Sequence, residues 1–97
     1  MVIISKTKLT KFGQDHSDSI LPLNDWWLKT KKAEWTTMHD MKETFNSVDY
    51  VGNGRYVFNI KGNNYRLVAL IFFDIRTLYI RFIGTHTEYD KIDSRTI

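Results

Sequence analysis

Two arginines, a histidine and a tyrosine in the last third of the sequence are the residues best suited to chemistry. Arg66 and Arg81 lie in neighbouring apolar runs, and His86 and Tyr89 follow the second run. A guanidinium group stays charged and can donate paired hydrogen bonds to one phosphate, whereas an imidazole can exchange a proton near neutral pH. In a helical turn Tyr89 would lie beside His86, where it could donate a hydrogen bond, transfer a proton, stack on a base or close the core. These residue types suit binding and proton transfer at a phosphodiester.

The segment after Arg81 also has the sequence of a helix start. Thr85 and Glu88 have the spacing of a capping box, in which each residue satisfies a backbone N–H group of the other. A histidine at the end of a strand often has a structural role, such as bonding a backbone carbonyl. His86 could therefore be structural, catalytic or both.

Four further polar residues are candidates for polyanion binding or supporting roles. Lys61 could add a third cation, although a lysine at a strand edge equally well discourages pairing with another chain. Asn59 and Asn64 could contact a base or fix the first hairpin. Asp90 is expected to have a supporting role in orienting the two arginines, because a carboxylate pointed at a polyanion would repel it.

An antiparallel meander in the second half of the chain must position these side chains. Runs of β-branched and aromatic residues predict strands at Tyr56–Ile60, Tyr65–Phe73 and Leu78–Ile83. The connection Lys61–Asn64 contains a glycine that suits a tight loop, and Asp74–Thr77 is a weaker turn.

Two-residue loops at these turns fix a register and therefore the faces of the sheet. The first loop pairs Asn59 with Arg66, and the second pairs Leu70 with Arg81. Strand alternation then predicts a wholly apolar face made of Phe58, Leu67, Ala69, Ile71, Phe73, Leu78, Ile80 and Phe82. The opposite face collects the polar residues Asn59, Lys61, Asn64, Arg66 and Arg81 among Val68, Leu70, Phe72, Tyr79 and Ile83. The sheet is thus predicted to have a core side and a cationic side.

The first half of the chain predicts an edge strand followed by helices. Val2 to Ile4 is a short apolar run, and helical spacing follows over residues 7–16 and from about residue 20 to residue 34 or 35. A third short helix is expected to bury Met41, Phe45 and Val48. Residues 46–54 are predicted to be a turn-rich link. With a helical turn from about Thr87, the element order predicts an α+β fold with two to three helices on one face of an antiparallel sheet.

Composition favours one small domain spanning residues 1–97, with 93–97 as a flexible tail. The 97 residues are 42% hydrophobic and contain no cysteine, so neither a disulfide nor a thiolate metal site is expected. A signal peptide and a membrane-spanning run are lacking, which predicts a soluble cytoplasmic protein with no membrane partner. A net charge of +3 suits a polyanionic partner.

Several segments together resemble the HigB-type toxins of bacterial toxin–antitoxin modules. The segments are Asp49–Asn53, Val57–Asn63, Tyr65–Leu67, Ile80–His86 and Glu88–Asp93, preceded by Leu9, Phe12, Trp27, Trp35, Lys42 and Phe45. The resemblance implies a RelE-like fold and an endoribonuclease that cleaves mRNA, commonly on the ribosome during translation. It also implies inhibition by a HigA-type helix-turn-helix antitoxin, with no metal or other cofactor.

Two other functions remain open from the residues alone. A non-catalytic RNA-binding module would keep the fold and the cationic face without cutting RNA. A protein-interaction domain would use Lys61, Arg66 and Arg81 on an acidic partner. Trp26, Trp27 and Trp35 could stack on bases, but their helical spacing favours packing against the sheet.

Overall fold

Alternating apolar residues in the second half of the chain form the centre of a five-stranded sheet. The computed structural model describes residues 1–97. Its strands are β1 (Val2–Ile4), β2 (Val48–Gly52), β3 (Arg55–Ile60), β4 (Tyr65–Phe72) and β5 (Thr77–Thr85). Its helices are α1 (Lys6–Asp15), α2 (Ile20–Lys32), α3 (Met38–Thr44) and α4 (His86–Asp90), with a 3₁₀ turn at Ser17–Ser19. The predicted α+β class is confirmed.

The sheet order is β1-β5-β4-β3-β2. β1 pairs with β5 in parallel, and the other three pairs are antiparallel, so the sheet is mixed rather than wholly antiparallel. None of the helices has both the length and the hydrophobicity that spanning a lipid bilayer would require.

The helices bury their apolar residues on one face of this sheet. Leu9 of α1 and Leu23 and Trp26 of α2 are 6% exposed or less and belong to the main core. Trp26 packs edge-on against Phe58 of β3, with ring centroids 5.4 Å apart. Trp35 is also buried, and its indole N–H donates to the Thr44 hydroxyl at 3.0 Å. Trp26 therefore packs on the sheet as its helical spacing predicts, whereas Trp35 lies beyond the end of α2 at Lys32 and bonds to a residue of α3.

The strand β2 corrects the prediction that residues 46–54 form only a link. Asn53 and Gly54 have φ angles of 53° and 75°, and they join Gly52 to its partner Arg55. An Asn-Gly pair is the preferred sequence for a two-residue hairpin loop with two positive φ angles. Because this loop folds the chain back at once, Val48 pairs with β3 and becomes buried.

The predicted register of the β3–β4 hairpin is confirmed. Asn59 pairs with Arg66 and Ile60 with Tyr65, across a turn in which Lys61 and Gly62 both have positive φ angles. The backbone N–H of Asn64 donates to the Lys61 carbonyl at 3.2 Å and closes the turn.

The predicted register of β4 and β5 is wrong. Leu70 pairs with Tyr79 rather than with Arg81, and the pairing shifts between Val68 and Ala69. Val68 pairs with Phe82 and Ala69 with Ile80, which leaves Arg81 as an extra residue without a partner. An extra residue of this kind is a β-bulge, and it reverses the faces of the residues that follow it.

The bulge moves two apolar side chains from their predicted faces. Phe82 pairs with Val68 and so lies on the helix-free face, where its ring is near Tyr89. Ile83 pairs with Leu67 and packs against the main core instead. The other residues predicted for the apolar face do lie on it. Between Thr77 and Ile80 the observed pairing with β4 differs from the predicted pairing by two residues, and a shift of two leaves each side chain on the same face.

Candidate active site

The helix α4 is fixed at its start by a complete capping box. The Thr85 hydroxyl accepts the Glu88 backbone N–H at 3.1 Å, and the Glu88 carboxylate accepts the Thr85 backbone N–H at 2.8 Å. This second hydrogen bond is the largest cause of a lowered pKa at Glu88. The predicted cap is confirmed, and it sets the direction in which α4 leaves β5.

An exposed histidine–aspartate pair lies on α4. His86 Nδ1 is 3.1 Å from the Asp90 carboxylate, and the two side chains are 53% and 60% exposed. A carboxylate at one ring nitrogen favours the N–H there and leaves the other nitrogen as the acceptor in the neutral ring. The sequence predicts that Asp90 orients the two arginines, but the structure pairs it with His86 instead.

Arg66 and Asn64 lie at the corner of the sheet where α4 begins. Arg66 pairs with Gly84 on β5, and its guanidinium donates to the Asn63 carbonyl at 3.0 Å. The Asn64 carbonyl accepts the His86 backbone N–H at 3.3 Å. The structure therefore brings Arg66, Asn64 and His86 to one corner.

Arg81 lies on the same helix-free face but nearer the middle of the sheet. Its side chain is exposed, and its Nε donates to the Ile97 main-chain oxygen at 3.4 Å. The bulge places Arg81 beside the junction of Val68 and Ala69, roughly 7–10 Å along β4 from Arg66. The two arginines share a face, as predicted, but their guanidinium groups contact different partners.

Arg55 is a third arginine on this face that the sequence analysis did not identify. It alternates with Val57 and Asn59 along β3, and its Nε and one terminal nitrogen donate to the Ile97 oxygen at 3.1 and 2.9 Å. The predicted strand began at Tyr56. Extending it by one residue would have placed Arg55 on the cationic face by alternation alone.

Tyr89 lies over the helix-free face, partly buried. Its ring centroid is 6.5 Å from that of Phe82, and its hydroxyl donates to the Ser94 hydroxyl at 3.4 Å. The hydroxyl thus points toward the C-terminal segment rather than toward His86. The catalytic role of Tyr89 stays a prediction.

Lys61 does not extend the cationic face. The Lys61 ammonium donates to Asp18, in the 3₁₀ turn on the helix side, at 2.7 Å, and the Tyr65 hydroxyl donates to the same carboxylate. The Lys61 hydrogen bond is the main cause of a lowered pKa at Asp18. The predicted placement of Lys61 on the cationic face is therefore wrong, because the positive φ of Lys61 turns it out of the strand. The Asn59 amide donates to the Ser47 hydroxyl, which ties β3 to the start of β2.

Residues 93–97 lie against the sheet. The Asn53 amide donates to the Arg95 carbonyl at 3.0 Å, and the Ile97 oxygen accepts from Arg55 and Arg81. A turn closed by hydrogen bonds from Thr96 and Ile97 to the Asp93 carbonyl shapes the segment. The predicted mobility of these residues stays a prediction.

The structure contains no group of three or more His, Asp or Glu side chains that could hold a metal ion. The candidate site instead consists of arginines on a sheet face and a histidine–aspartate pair at its edge. Together with the helices on the other face, this arrangement is that of a small RelE-like domain.

Comparison with known proteins gives the family. Residues 20–92 match the HigB toxin family, described as the RelE-like toxic component of a toxin–antitoxin system. The mRNA interferase HigB of Escherichia coli O6:H1 is 30% identical over 94 residues, covering 95% of this chain and 91% of that protein. The mRNA interferase toxin HigB of Escherichia coli K12 is 45% identical over 62 residues, 61% of this chain and 59% of that protein. The chain belongs to the HigB toxin family.

Proposed function

We propose that this HigB-family toxin is an mRNA interferase, an endoribonuclease that cleaves mRNA and so inhibits protein synthesis. The observation that carries the proposal is the helix-free face, which holds Arg55, Arg66 and Arg81 and has Arg66 at the corner where the His86–Asp90 pair begins. Two relatives that bear the name mRNA interferase support the same activity.

The proposed reaction uses the RNA's own 2′-hydroxyl group. The 2′-oxygen attacks the adjacent phosphorus and loses its proton to His86, whose free ring nitrogen is kept as an acceptor by Asp90. The bond from phosphorus to the 5′-oxygen breaks, and that oxygen takes up a proton. The products are a 2′,3′-cyclic phosphate and a 5′-hydroxyl end.

Arg66 and Arg81 stabilise the charge that develops on the phosphate oxygens. Both side chains lie on the helix-free face, and a guanidinium remains charged throughout the reaction. Tyr89 is assigned to the leaving 5′-oxygen or to stacking on a neighbouring base. Asn64 is assigned to binding RNA beside His86.

The proposal includes the setting in which the toxin acts. We expect cleavage during translation on the ribosome, in the cytoplasm, and neutralisation by a HigA-type helix-turn-helix antitoxin. Family membership as the toxic component of a toxin–antitoxin system supports an antitoxin partner. Co-expression with the product of an adjacent small reading frame should restore growth and give a stable complex.

Purified protein and a labelled mRNA fragment, with EDTA present, test the chemistry. The products should carry 2′,3′-cyclic phosphate ends, both in a translation mixture and at a lower rate on naked RNA. Replacing Arg66, Arg81 or His86 with alanine should each lower the rate by about 10²-fold or more. Lys29→Gln is the matched control, because Lys29 pairs with Asp25 on an exposed helix surface and its change also removes one cation.

The outcomes separate RNA cleavage from RNA binding without cleavage. Salt-dependent RNA binding without new ends would identify a non-catalytic RNA-binding module and refute the proposal. Cleavage that survives Arg81→Ala and His86→Ala would refute the assigned site. Cleavage lost with EDTA and restored by a divalent cation would refute the metal-independent mechanism.

A further inference from the structure

The C-terminal residues contact Arg81, which the proposed reaction needs, and also Arg55 on β3. Three N–H groups converge on the Ile97 main-chain oxygen, two from Arg55 at 3.1 and 2.9 Å and one from Arg81 at 3.4 Å. Arg55 and Arg81 come from strands on either side of β4, so one oxygen bridges across the middle strand. Carboxylate and phosphate oxygens are the usual acceptors for such a fork of guanidinium donors.

Burial on the helix-free face shows how far this contact extends. Val57 and Val68 are 5% and 0% exposed, yet neither belongs to the main core beneath the helices. Both lie on the arginine side of the sheet by alternation. Their burial requires cover from that side, where Tyr89 and the C-terminal residues lie.

We propose that Arg55 and Arg81 form a phosphate-binding subsite for RNA, and that residues 93–97 occupy this subsite in the free protein and must move before RNA binds there. The inference rests on the proposed function, because it concerns the same RNA and the same face. It adds Arg55 to the RNA-binding residues and gives the toxin a built-in cover over part of its site.

The chemistry of the two acceptors favours exchange. Both arginines donate to the single Ile97 oxygen, whereas a phosphodiester presents two charged oxygens, so a phosphate can give each guanidinium an acceptor atom of its own. The segment itself is held by few polar contacts besides these. Asn53 donates to the Arg95 carbonyl, and Tyr89 donates to Ser94 at 3.4 Å. A cover with this few contacts can be displaced without unfolding the sheet.

The expected effect is a weakened apparent affinity for RNA in the full chain. If the segment closes the subsite about 90% of the time, only a tenth of the molecules are competent, and the apparent Kd rises about tenfold. A chain lacking residues 93–97 should therefore bind a 2′-O-methyl RNA oligonucleotide about tenfold more tightly. This oligonucleotide cannot be cut through its 2′-oxygen, so affinity is measured apart from cleavage.

A substitution tests the same step in case the shortened chain does not fold. Asn53→Gly removes the amide that holds Arg95 but keeps the φ angle of 53°, which suits glycine. It should tighten RNA binding severalfold at an unchanged melting temperature. In the shortened chain and in the Asn53→Gly variant, Arg55→Gln should weaken RNA binding. It should also lower the slope of log binding constant against log salt concentration by about one. Lys29→Gln is the control for loss of a distant cation.

The movement can be observed directly, because the chain contains no cysteine. A nitroxide on Thr96→Cys should become mobile when the uncleavable RNA binds, whereas a nitroxide on Asn24→Cys in α2 should not change. Equal RNA affinity for the full chain, the shortened chain and Asn53→Gly, with an unchanged label at residue 96, would overturn the inference. Absence of cleavage by every variant would overturn the proposed function alone, since binding and label mobility are measured without cleavage.

Discussion

Replacing Glu88 with alanine should loosen α4 without unfolding the domain. The change removes the hydrogen bond from the Thr85 backbone N–H to the Glu88 carboxylate, 2.8 Å long, while the Thr85 hydroxyl keeps its own bond to residue 88. Loss of a helix cap costs about 1 kcal/mol. Since α4 has five residues, it depends strongly on this cap. A cost of about 1 kcal/mol raises the opening equilibrium about fivefold.

Hydrogen exchange measures this opening. The backbone N–H groups of Lys91 and Ile92 donate to the Glu88 and Tyr89 carbonyls, each at 3.2 Å, and their exchange should accelerate about fivefold. Cleavage should fall by no more than that factor, because α4 carries His86. Glu88→Gln should keep the protection, since glutamine also fits the capping box.

A second control separates the cap from the charge. Glu43→Ala also removes an exposed glutamate from a helix, but at α3, where Glu43 contacts His39. It should leave exchange in α4 unchanged. If Glu88→Ala and Glu88→Gln give the same exchange rates as the unaltered chain, the cap does not hold α4 and the reasoning fails.

Three further predictions concern the framework of the site. Gly84→Ala should destabilise the protein by about 1–3 kcal/mol, because a Cβ atom would meet the Phe82 ring and lie 3.1 Å from the Glu88 carboxylate; an unchanged melting temperature would contradict this. Phe58→Ala should lower the free energy of unfolding by about 3–5 kcal/mol and the melting temperature by about 10 °C or more, because Phe58 is 1% exposed. Phe72→Ala should cost much less, because Phe72 is 42% exposed. Equal losses of stability in the two variants would disprove the packing of Phe58 in the core. The Lys61 hydrogen bond lowers the pKa of Asp18 in the folded protein. The stability that this hydrogen bond contributes is therefore complete above the ordinary carboxyl pKa of about 4, and it is lost as the pH falls through the lower folded pKa. Asp18→Asn should therefore flatten the decline in stability in acid, and an unchanged acid profile would refute it.

The parts of the fold that the sequence predicted are those governed by local rules. The β3–β4 hairpin was predicted from Gly62 and from the alternation of apolar residues on both sides of it, and its register is as expected. The capping box followed from the identities of Thr85 and Glu88 alone. Each of these features depends on residues within a few positions of one another, which is the range over which sequence patterns are informative.

The features that the sequence analysis did not predict depend on contacts between distant residues, on the Asn53-Gly54 turn or on the first residue of a strand. Lys61 is 43 positions from the carboxylate that binds it, so no local pattern indicates that its ammonium leaves the cationic face. The strand β2 was predictable from Asn53 and Gly54, which form the two-residue loop. Arg55 was missed because the predicted strand began one residue late.

The bulge at Arg81 links the fold to the candidate site most directly. Nothing in the run Ile80-Arg81-Phe82 distinguishes a bulge from a regular strand, because all three residues fit a pleated sheet. The bulge lies at Arg81 because an extra residue there lets apolar side chains on both sides of it reach the core. Leu78 and Ile80 precede the bulge, and Ile83 follows it. As a consequence Phe82 turns outward to support Tyr89, and Arg81, which has no partner residue on β4, reaches the oxygen that Arg55 also binds. A single extra residue therefore places an arginine and the support for α4 on the surface where we propose that RNA binds.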